Sequence, residues 1–544
     1  MDDTADLDRF GSRRSVAYAS KGMVATSQPL AAEAGVSLLR GGGNAFDAAV
    51  ATAAALNVTE PTSTGLGGDV FALYRTADGA VGGLRSCGGA PGAATIEKVS
   101  ESVADAEDLA DAADAEMPFT GSHTVTVPGT ARGWEATIEE LGTLSLADAL
   151  EPAIKYATEG FPVSPVIAHH WQAGEDLFTD THAREAFLSG DRAPRAGEEV
   201  CLENLGRTME CIAEEGADIF YEGPVGEEIV AEVQENGGFL AEDDLAAFEP
   251  EFVDPISTTY EGAEVYELGP NNQGPLALEA LNLAEAVDAG DHPPGSSDSI
   301  HYFVEAMKRA FHDGHHYVTD PEYEPIPALH EKAYAADRVG DVTEEATPSS
   351  KIGVGMPGSG AENADTVLLC VADEAGNVVS YINSRFAGFG SGLVAGETGV
   401  ALQNRGASFS LDPDHPNALE PGKRPFHTLI PGLAELGEED WLAFGVMGGY
   451  MQPQGHLQVL SHLLDGEDSL QAALDRPRWR YREDGRLTVE SRIDSEVLTH
   501  LARRGHDVTV EPPAGFGGGQ FARYRGGVLS GATEPRKDGV AIGY

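Results

Sequence analysis

The chain has 544 residues, ample for a large core, and a formal net charge of −54 from 89 acidic and 35 basic residues, which opposes binding to nucleic acid or an anionic membrane. A disordered polyanion is excluded too, because 41% of the residues are hydrophobic and apolar periodic segments run through nearly the whole sequence. The four cysteines form no CxxC pair, which argues against structural zinc and a disulfide framework, so the charge is read as adaptation to a salt-rich, halophilic cytoplasm where screening lengths of roughly 3 Å tolerate self-repulsion.

The first twenty residues contain no apolar run of signal-peptide length, and no stretch of about 18 apolar residues suggests a membrane span, so a cytoplasmic location is expected. The segment Pro29 to Arg40 has helical apolar spacing and ends at Gly41-Gly42-Gly43. Asn44 then suits the N-cap of an alanine-rich helix running from Ala45 to about Leu56, apolar on most faces and hence expected to be buried. Neither a dinucleotide fingerprint nor a P-loop follows these glycines. Residues 97–118 read as an acidic, alanine-rich insertion in contact with solvent. From about 130 to 340 the pattern is mainly helical, with extended pieces expected near 125–128 and 263–268. His312, His315 and His316 are expected at the surface or capping a helix end.

Residues 346–365 open on a Gly-, Pro- and Ser-rich run that predicts an exposed loop. The period then changes. Thr366 to Ala372 is a continuous apolar strand, Asp373 to Asn377 a turn, and Val378 to Ser384 the returning strand. A threonine placed directly after a mobile loop invites a chemical reading. If the Asp365–Thr366 bond were cut, the new α-amino group, with an ordinary pKa of about 7.7–8.0, would stand beside the hydroxyl as its base. The β propensity of threonine alone also explains the residue. Phe444 to Gly449 is a strand running into a glycine pair, able to expose backbone N–H groups as an oxyanion hole requires, or simply to turn. Arg424 before Pro425 could grip a carboxylate or form an internal ion pair. No Gly-x-Ser-x-Gly elbow is present, and nothing in the sequence calls for a metal or other cofactor.

These residues together resemble the γ-glutamyltransferases over roughly residues 20–544. The resemblance is carried in order by Gly22–Thr26, Gly42–Ala51, Gly65–Asp69, Val127–Gly129, Phe220–Gly223, Glu305–Phe311, Asp365-Thr366, Asp373–Asn377, Phe389–Gly392, Lys423–Pro425 and Gly448-Gly449. It implies an α+β fold, the four-layer αββα sandwich of N-terminal-nucleophile hydrolases. It also implies autocleavage into chains 1–365 and 366–544 that stay associated as one intertwined domain. Thr366 falls on the nucleophile, Gly448 and Gly449 on the oxyanion pair, and Ser384 where the family has a threonine supporting the nucleophile. The substrate class implied is a small amide or peptide, γ-glutamyl first.

The glutamyl-recognition set departs from the family pattern. Cys87 stands at the arginine that holds the α-carboxylate, with Arg85 two residues away as a possible substitute. Gln403 to Phe409 lacks the acid that holds the α-amino group, and His427-Thr428 replaces a serine pair. Arg405 suggests an alternative acyl group without an ammonium, such as glutaryl. A non-catalytic binding protein on the same fold is the alternative of another class.

Overall fold

The computed structural model describes residues 14–352 apart from 110 and 341, and residues 366–544 apart from 483. Asp365 and residues 353–363 of the Gly-, Pro- and Ser-rich run lie outside the described residues.

Two seven-stranded sheets form the centre. One runs Val540–Gly543, Gly22–Thr26, Val367–Asp373, Val378–Ser384, Asp69–Arg75, Val81–Ser86, Glu251–Val253. The other runs Ala17–Ala19, Val528–Thr533, Gly518–Arg525, Asp440–Met447, Gly432–Gly437, Ala263–Glu267, Ile256–Tyr260. Neighbouring strands within both are antiparallel.

Three apolar layers hold this stack together, and the strand Val367–Asp373 shows how the sequence builds them. All seven of its residues are buried. Val367, Leu369 and Val371 pack into a core with Phe46, Val50, Ala54 and Trp134, from helices on the outer face of the first sheet. Leu368, Cys370 and Ala372 point the other way, into the seam between sheets, with Met23, Phe71, Leu433 and Ala443. A third core joins the second sheet, through Leu442, Phe444 and Phe521, to Leu278, Leu281, Met307, Leu457 and Leu460 on its own covering helices. A strand covered on both faces has no polar side to show, so it reads as a continuous apolar run. Helices, two sheets and helices thus make the αββα sandwich that the resemblance implies.

The local expectations near the N-terminus hold. Helix Pro29–Arg40 is followed by helix Ala45–Thr59, all of whose residues are buried. Asn44 caps it, accepting from the N–H groups of Phe46 and Asp47, while Asp47 accepts from Asn44 N–H at 2.7 Å. The strand expected near 263–268 is Ala263–Glu267, whereas 125–128 forms no strand. There Val127 exchanges single backbone bonds with Gly88 and Gly89 without extending into a ladder.

Two readings change. Residues 97–118 are not simply a solvated insertion, because helix Ile96–Glu107 buries Val99, Ser100, Val103 and Ala104. Val99 and Val103 pack with Ala90, Ala94, Phe409 and Leu419. Their i, i+4 spacing makes one apolar stripe, masked in the sequence by the acids around it. His315 is not a surface group either. It is buried in helix Ser297–Tyr317 between Phe311, Phe426 and Tyr450, and burial pushes it down to about 3, so it is neutral.

Candidate active site

The hairpin Val367–Asp373/Val378–Ser384 sets the first part of the site. Its turn is fixed by Asp373, whose Oδ1 accepts from the N–H groups of Ala375 and Asn377, both at 3.0 Å. Its Oδ2 accepts from Asn377 Nδ2 at 2.7 Å and from the N–H of Ala45 at 2.9 Å, tying the turn to a helix N-terminus. Gly376, with φ of 91°, supplies the left-handed corner. This turn fixes the register, which pairs Val367 with Asn383 and so brings Thr366 against Ser384. The two hydroxyl oxygens stand 3.2 Å apart, both side chains are fully buried, and Ser384 Oγ also accepts from the N–H of Phe386 at 2.9 Å.

The second part is the glycine pair. Strand Asp440–Met447 belongs to the opposing sheet and packs on the hairpin, with Ser380 Oγ donating to Phe444 O at 2.8 Å. It ends in Gly448 and Gly449, with φ of 118° and 59°. Their carbonyls accept from Met451 and Gln452, the first amides of helix Met451–Leu464. Among the described residues, no acceptor engages the N–H of Gly448 or of Gly449. Gln273 braces this corner, donating through Nε2 to Thr428 O at 2.8 Å and to Gly449 O at 3.0 Å.

A buried polar floor joins the two parts. Arg405 lies over the Phe386 ring at 4.4 Å and donates to Thr428 Oγ1 at 2.8 Å. Its Nε and Nη2 have no partner among the described residues, although the side chain is fully buried. Burial lowers the guanidinium to about 10, against the pull of Asp69, so it remains a cation at neutral pH. His427 Nδ1 accepts from Leu429 N–H, which leaves Nε2–H to donate to Asp69 Oδ2 at 3.0 Å. Burial holds His427 well below the usual imidazole range, with Arg405 and Arg85 adding to the effect. Asp69 is pushed up to about 7 by burial, while Arg405, Gln403 and Gly129 N–H pull it back.

An amide carbonyl set between the hydroxyl pair and the glycine N–H pair would meet a nucleophile on one side and charge-stabilising donors on the other. The match with known proteins fits this geometry: the model of the family described as Gamma-glutamyltranspeptidase matches residues 31–544. The chain belongs to the gamma-glutamyltranspeptidase family. It is 37% identical to the glutathione hydrolase-like YwrD proenzyme of Bacillus subtilis (strain 168), over 96% of this chain and 98% of that one. It is 34% identical to the acylase ACY 1 proenzyme of Pseudomonas sp. (strain SE83), over 98% and 95%. The crystal structure of cephalosporin acylase from Bacillus halodurans superposes with a TM-score of 0.88 at 43% identity, covering 98% of this chain and 97% of that one. As a member of the gamma-glutamyltranspeptidase family the chain is an enzyme of the N-terminal-nucleophile amidohydrolase and acyltransferase class, and its relatives include both glutathione hydrolases and acylases.

Of the residues singled out from the sequence of this gamma-glutamyltranspeptidase-family chain, the structure gathers Thr366, Ser384, Gly448, Gly449, Arg405, His427 and Thr428 into one contact network. Arg85 and Arg424 share Glu251 instead. Arg85 Nη2 lies 2.6 Å from it and Arg424 Nη1 2.8 Å, while Arg424 also grips Asp320 through Nε and Nη2. Cys87 is buried beside Asn271, and burial pushes its thiol up to about 12, so it stays protonated. Asp69 and Gln273 were not singled out. Asp69 closes the Gly65–Asp69 segment and could have been found as an acid following a glycine pair. Gln273 carries no such signal, because its role rests on two carbonyls far away in the sequence. Among the described residues no helix is long and apolar enough to cross a membrane.

Proposed function

We propose that Thr366 is the nucleophile of an amidohydrolase that first releases its own amine by cutting the Asp365–Thr366 bond. In turnover the Thr366 hydroxyl adds to the substrate carbonyl and passes its proton to the α-amine. The carbonyl oxygen takes the negative charge between the N–H groups of Gly448 and Gly449. Collapse breaks the C–N bond, the leaving amine takes the proton, and water hydrolyses the resulting ester on Thr366. The chains 1–365 and 366–544 then work as a heterodimer. The observation that carries this reading is the Thr366–Ser384 hydroxyl pair at 3.2 Å, joined through Phe386, Arg405, Thr428 and Gln273 to a glycine pair whose N–H groups no acceptor engages among the described residues.

γ-Glutamyl amides are the first substrates to assay. One observation favours a second reading. Arg405 offers two nitrogens, Nε and Nη2, without a partner among the described residues, while Ala407 and Ser408 stand where an ammonium would need a carboxylate. An acyl chain with a carboxylate and no α-amino group, such as glutaryl, fits that balance of charge.

The test is intact mass in high salt of wild type and Thr366→Ala, followed by turnover of γ-glutamyl-anilide and glutaryl-anilide. Two chains parted at residues 365 and 366 in the wild type, with an uncut variant, are expected. A folded, uncut wild type overturns the proposal, and a strong preference for γ-glutamyl-anilide overturns the second reading alone.

A further inference from the structure

Between strand Asp440–Met447 and helix Met451–Leu464 the chain turns through Gly448, Gly449 and Tyr450. The direction of the two glycine N–H groups therefore depends on how the helix is seated on the strand. The seat is close. A Cβ at Gly455 would stand 2.5 Å from Val446 Cβ, so no side chain separates helix from strand there. At the next position His456 is fully buried, and its ring lies 4.9 Å from that of Phe444 on the strand.

His456 is held from the side. Its Nδ1 lies 2.6 Å from Oε1 of Glu267, which is also fully buried and ends strand Ala263–Glu267, beyond Gly432–Gly437 in the same sheet. On the strand between, Gly432 leaves room for the Phe444 ring, whose nearest atom is 2.6 Å from where a Cβ would stand. Glu267 Oε2 and His456 Nε2 have no partner among the described residues, so the two side chains bond to each other alone there. Burial raises the Glu267 carboxyl and the imidazole draws it back, so without the ring it takes up a proton more readily. Further along the same segment, Gln273 donates to Gly449 O at 3.0 Å. Segments 267–273 and 449–456 are thus joined at both ends, and the glycine corner lies at one of the joints. Buried acid–imidazole pairs add little net stability over apolar side chains of the same volume, but apolar side chains cannot supply their directional bond.

Resting on the reading of Gly448 and Gly449 as the oxyanion pair, we propose that Glu267 and His456 are positioning residues for the reaction at Thr366. Their bond fixes the rotation and depth of helix Met451–Leu464 on strand Asp440–Met447, and the helix in turn aims the two glycine N–H groups. Gln273 fixes the carbonyl side of the same corner. The donors are then in place before any substrate enters, as preorganised charge stabilisation requires. Donors that meet charge formed only in the transition state act on kcat, so an error in their aim costs rate and leaves substrate affinity nearly unchanged.

The variant that tests this combines Glu267→Met with His456→Leu, which removes the bond without stranding a buried partner. It is compared with wild type and with the single variants Glu267→Gln and His456→Asn, by melting temperature and by steady-state kinetics on the anilide that wild type turns over. Intact mass counts the cleaved molecules, and kcat is expressed per cleaved molecule. The combined variant is expected to melt close to wild type, to lose about 10–100-fold in kcat and to keep KM within about twofold. Glu267→Gln keeps an acceptor and His456→Asn keeps a donor in the place of Nδ1, and each is expected within about threefold of the wild-type kcat. A combined variant that turns over at the wild-type rate overturns the inference. So does one whose KM rises while kcat holds, and so do single variants as slow as the combined one. If the combined variant fails to fold, His456→Met, which keeps the bulk and lets Glu267 take up a proton, is read by the same outcomes. The two readings fail separately. A folded wild type that stays uncut overturns the nucleophile reading and this one together, whereas an active wild type with an equally active combined variant overturns this one alone.

Discussion

Replacing Ser384 by alanine removes one oxygen and with it the 3.2 Å approach to Thr366 Oγ1 and the bond from Phe386 N–H at 2.9 Å. Phe386 is 3% exposed, so its N–H would be left buried without that acceptor, a loss of about 1–3 kcal/mol. The residue is doubly sensitive, because it sits at φ of 83°, where a bulky side chain costs on the order of 1–3 kcal/mol and neighbouring contacts must hold it. With an unfolding entropy of roughly 1 kcal/mol per degree for a chain this long, the melting shift is only about 1–3 °C. The kinetic effect is larger. A hydrogen bond to a group that becomes charged is worth about 1.5–3 kcal/mol, or roughly 10–100-fold in rate. Ser384→Ala is therefore expected to slow both self-cleavage, followed by intact mass over time, and anilide turnover by about that factor. Ser384→Thr, which keeps the hydroxyl, restores both. A Ser384→Ala protein that matures and turns over at wild-type rates while melting slightly earlier would refute the reasoning, leaving Ser384 a purely structural residue.

Asp69 and the glycine pair give two more expectations. Because burial raises Asp69 from 3.8 in the unfolded chain to about 7 in the fold, its protonated form is the favoured one. Its contribution to stability is complete below about pH 4 and is lost as pH rises to about 7. Asp69→Asn should remove that slope, worth at most about 4 kcal/mol, and denaturation series from pH 4 to 8 would show an unchanged slope if the linkage is wrong. At Gly448 a Cβ would stand 3.2 Å from Gly517 Cα on a backbone with φ of 118°, so Gly448→Ala must turn its N–H. A loss of about 10²–10³ in kcat with little change in KM is expected from steady-state kinetics, and an equal rise in KM with kcat intact would contradict the oxyanion role.

What could be read from the sequence was local. Asn44 announces its own helix because a capping side chain acts within three residues, and Asp373 to Asn377 announce a hairpin because turn chemistry is equally short-range. The hairpin register then delivers the Thr366–Ser384 pair without further information. The polar floor could not be read that way. His427 and Asp69 are 358 residues apart, and each looks like an isolated polar residue until the sheets place them together. The packing of helix Ile96–Glu107 was hidden for another reason. Between Ile96 and Glu107 the acids outnumber the residues that anchor the helix, so composition suggested solvent while two valines on one face decided the packing. His315 shows the same limit, since Phe426 and Tyr450 reach it from distant parts of the chain.

The order of strands in the first sheet has a consequence for the life history of the molecule. Gly22–Thr26 is flanked by Val540–Gly543 on one side and Val367–Asp373 on the other, and in the second sheet Gly432–Gly437 leans on Ala263–Glu267. A cut between residues 365 and 366 would leave two polypeptides, neither of which owns a complete sheet. The covalent link that brings these strands together during synthesis would be spent in the act that arms the proposed nucleophile. Such a protein can be assembled once, as a single thread, and a matured molecule that comes apart has to rebuild its centre by a bimolecular encounter between two fragments with unpaired edges. Its working lifetime is then governed by how slowly it opens, more than by how favourably it would fold again.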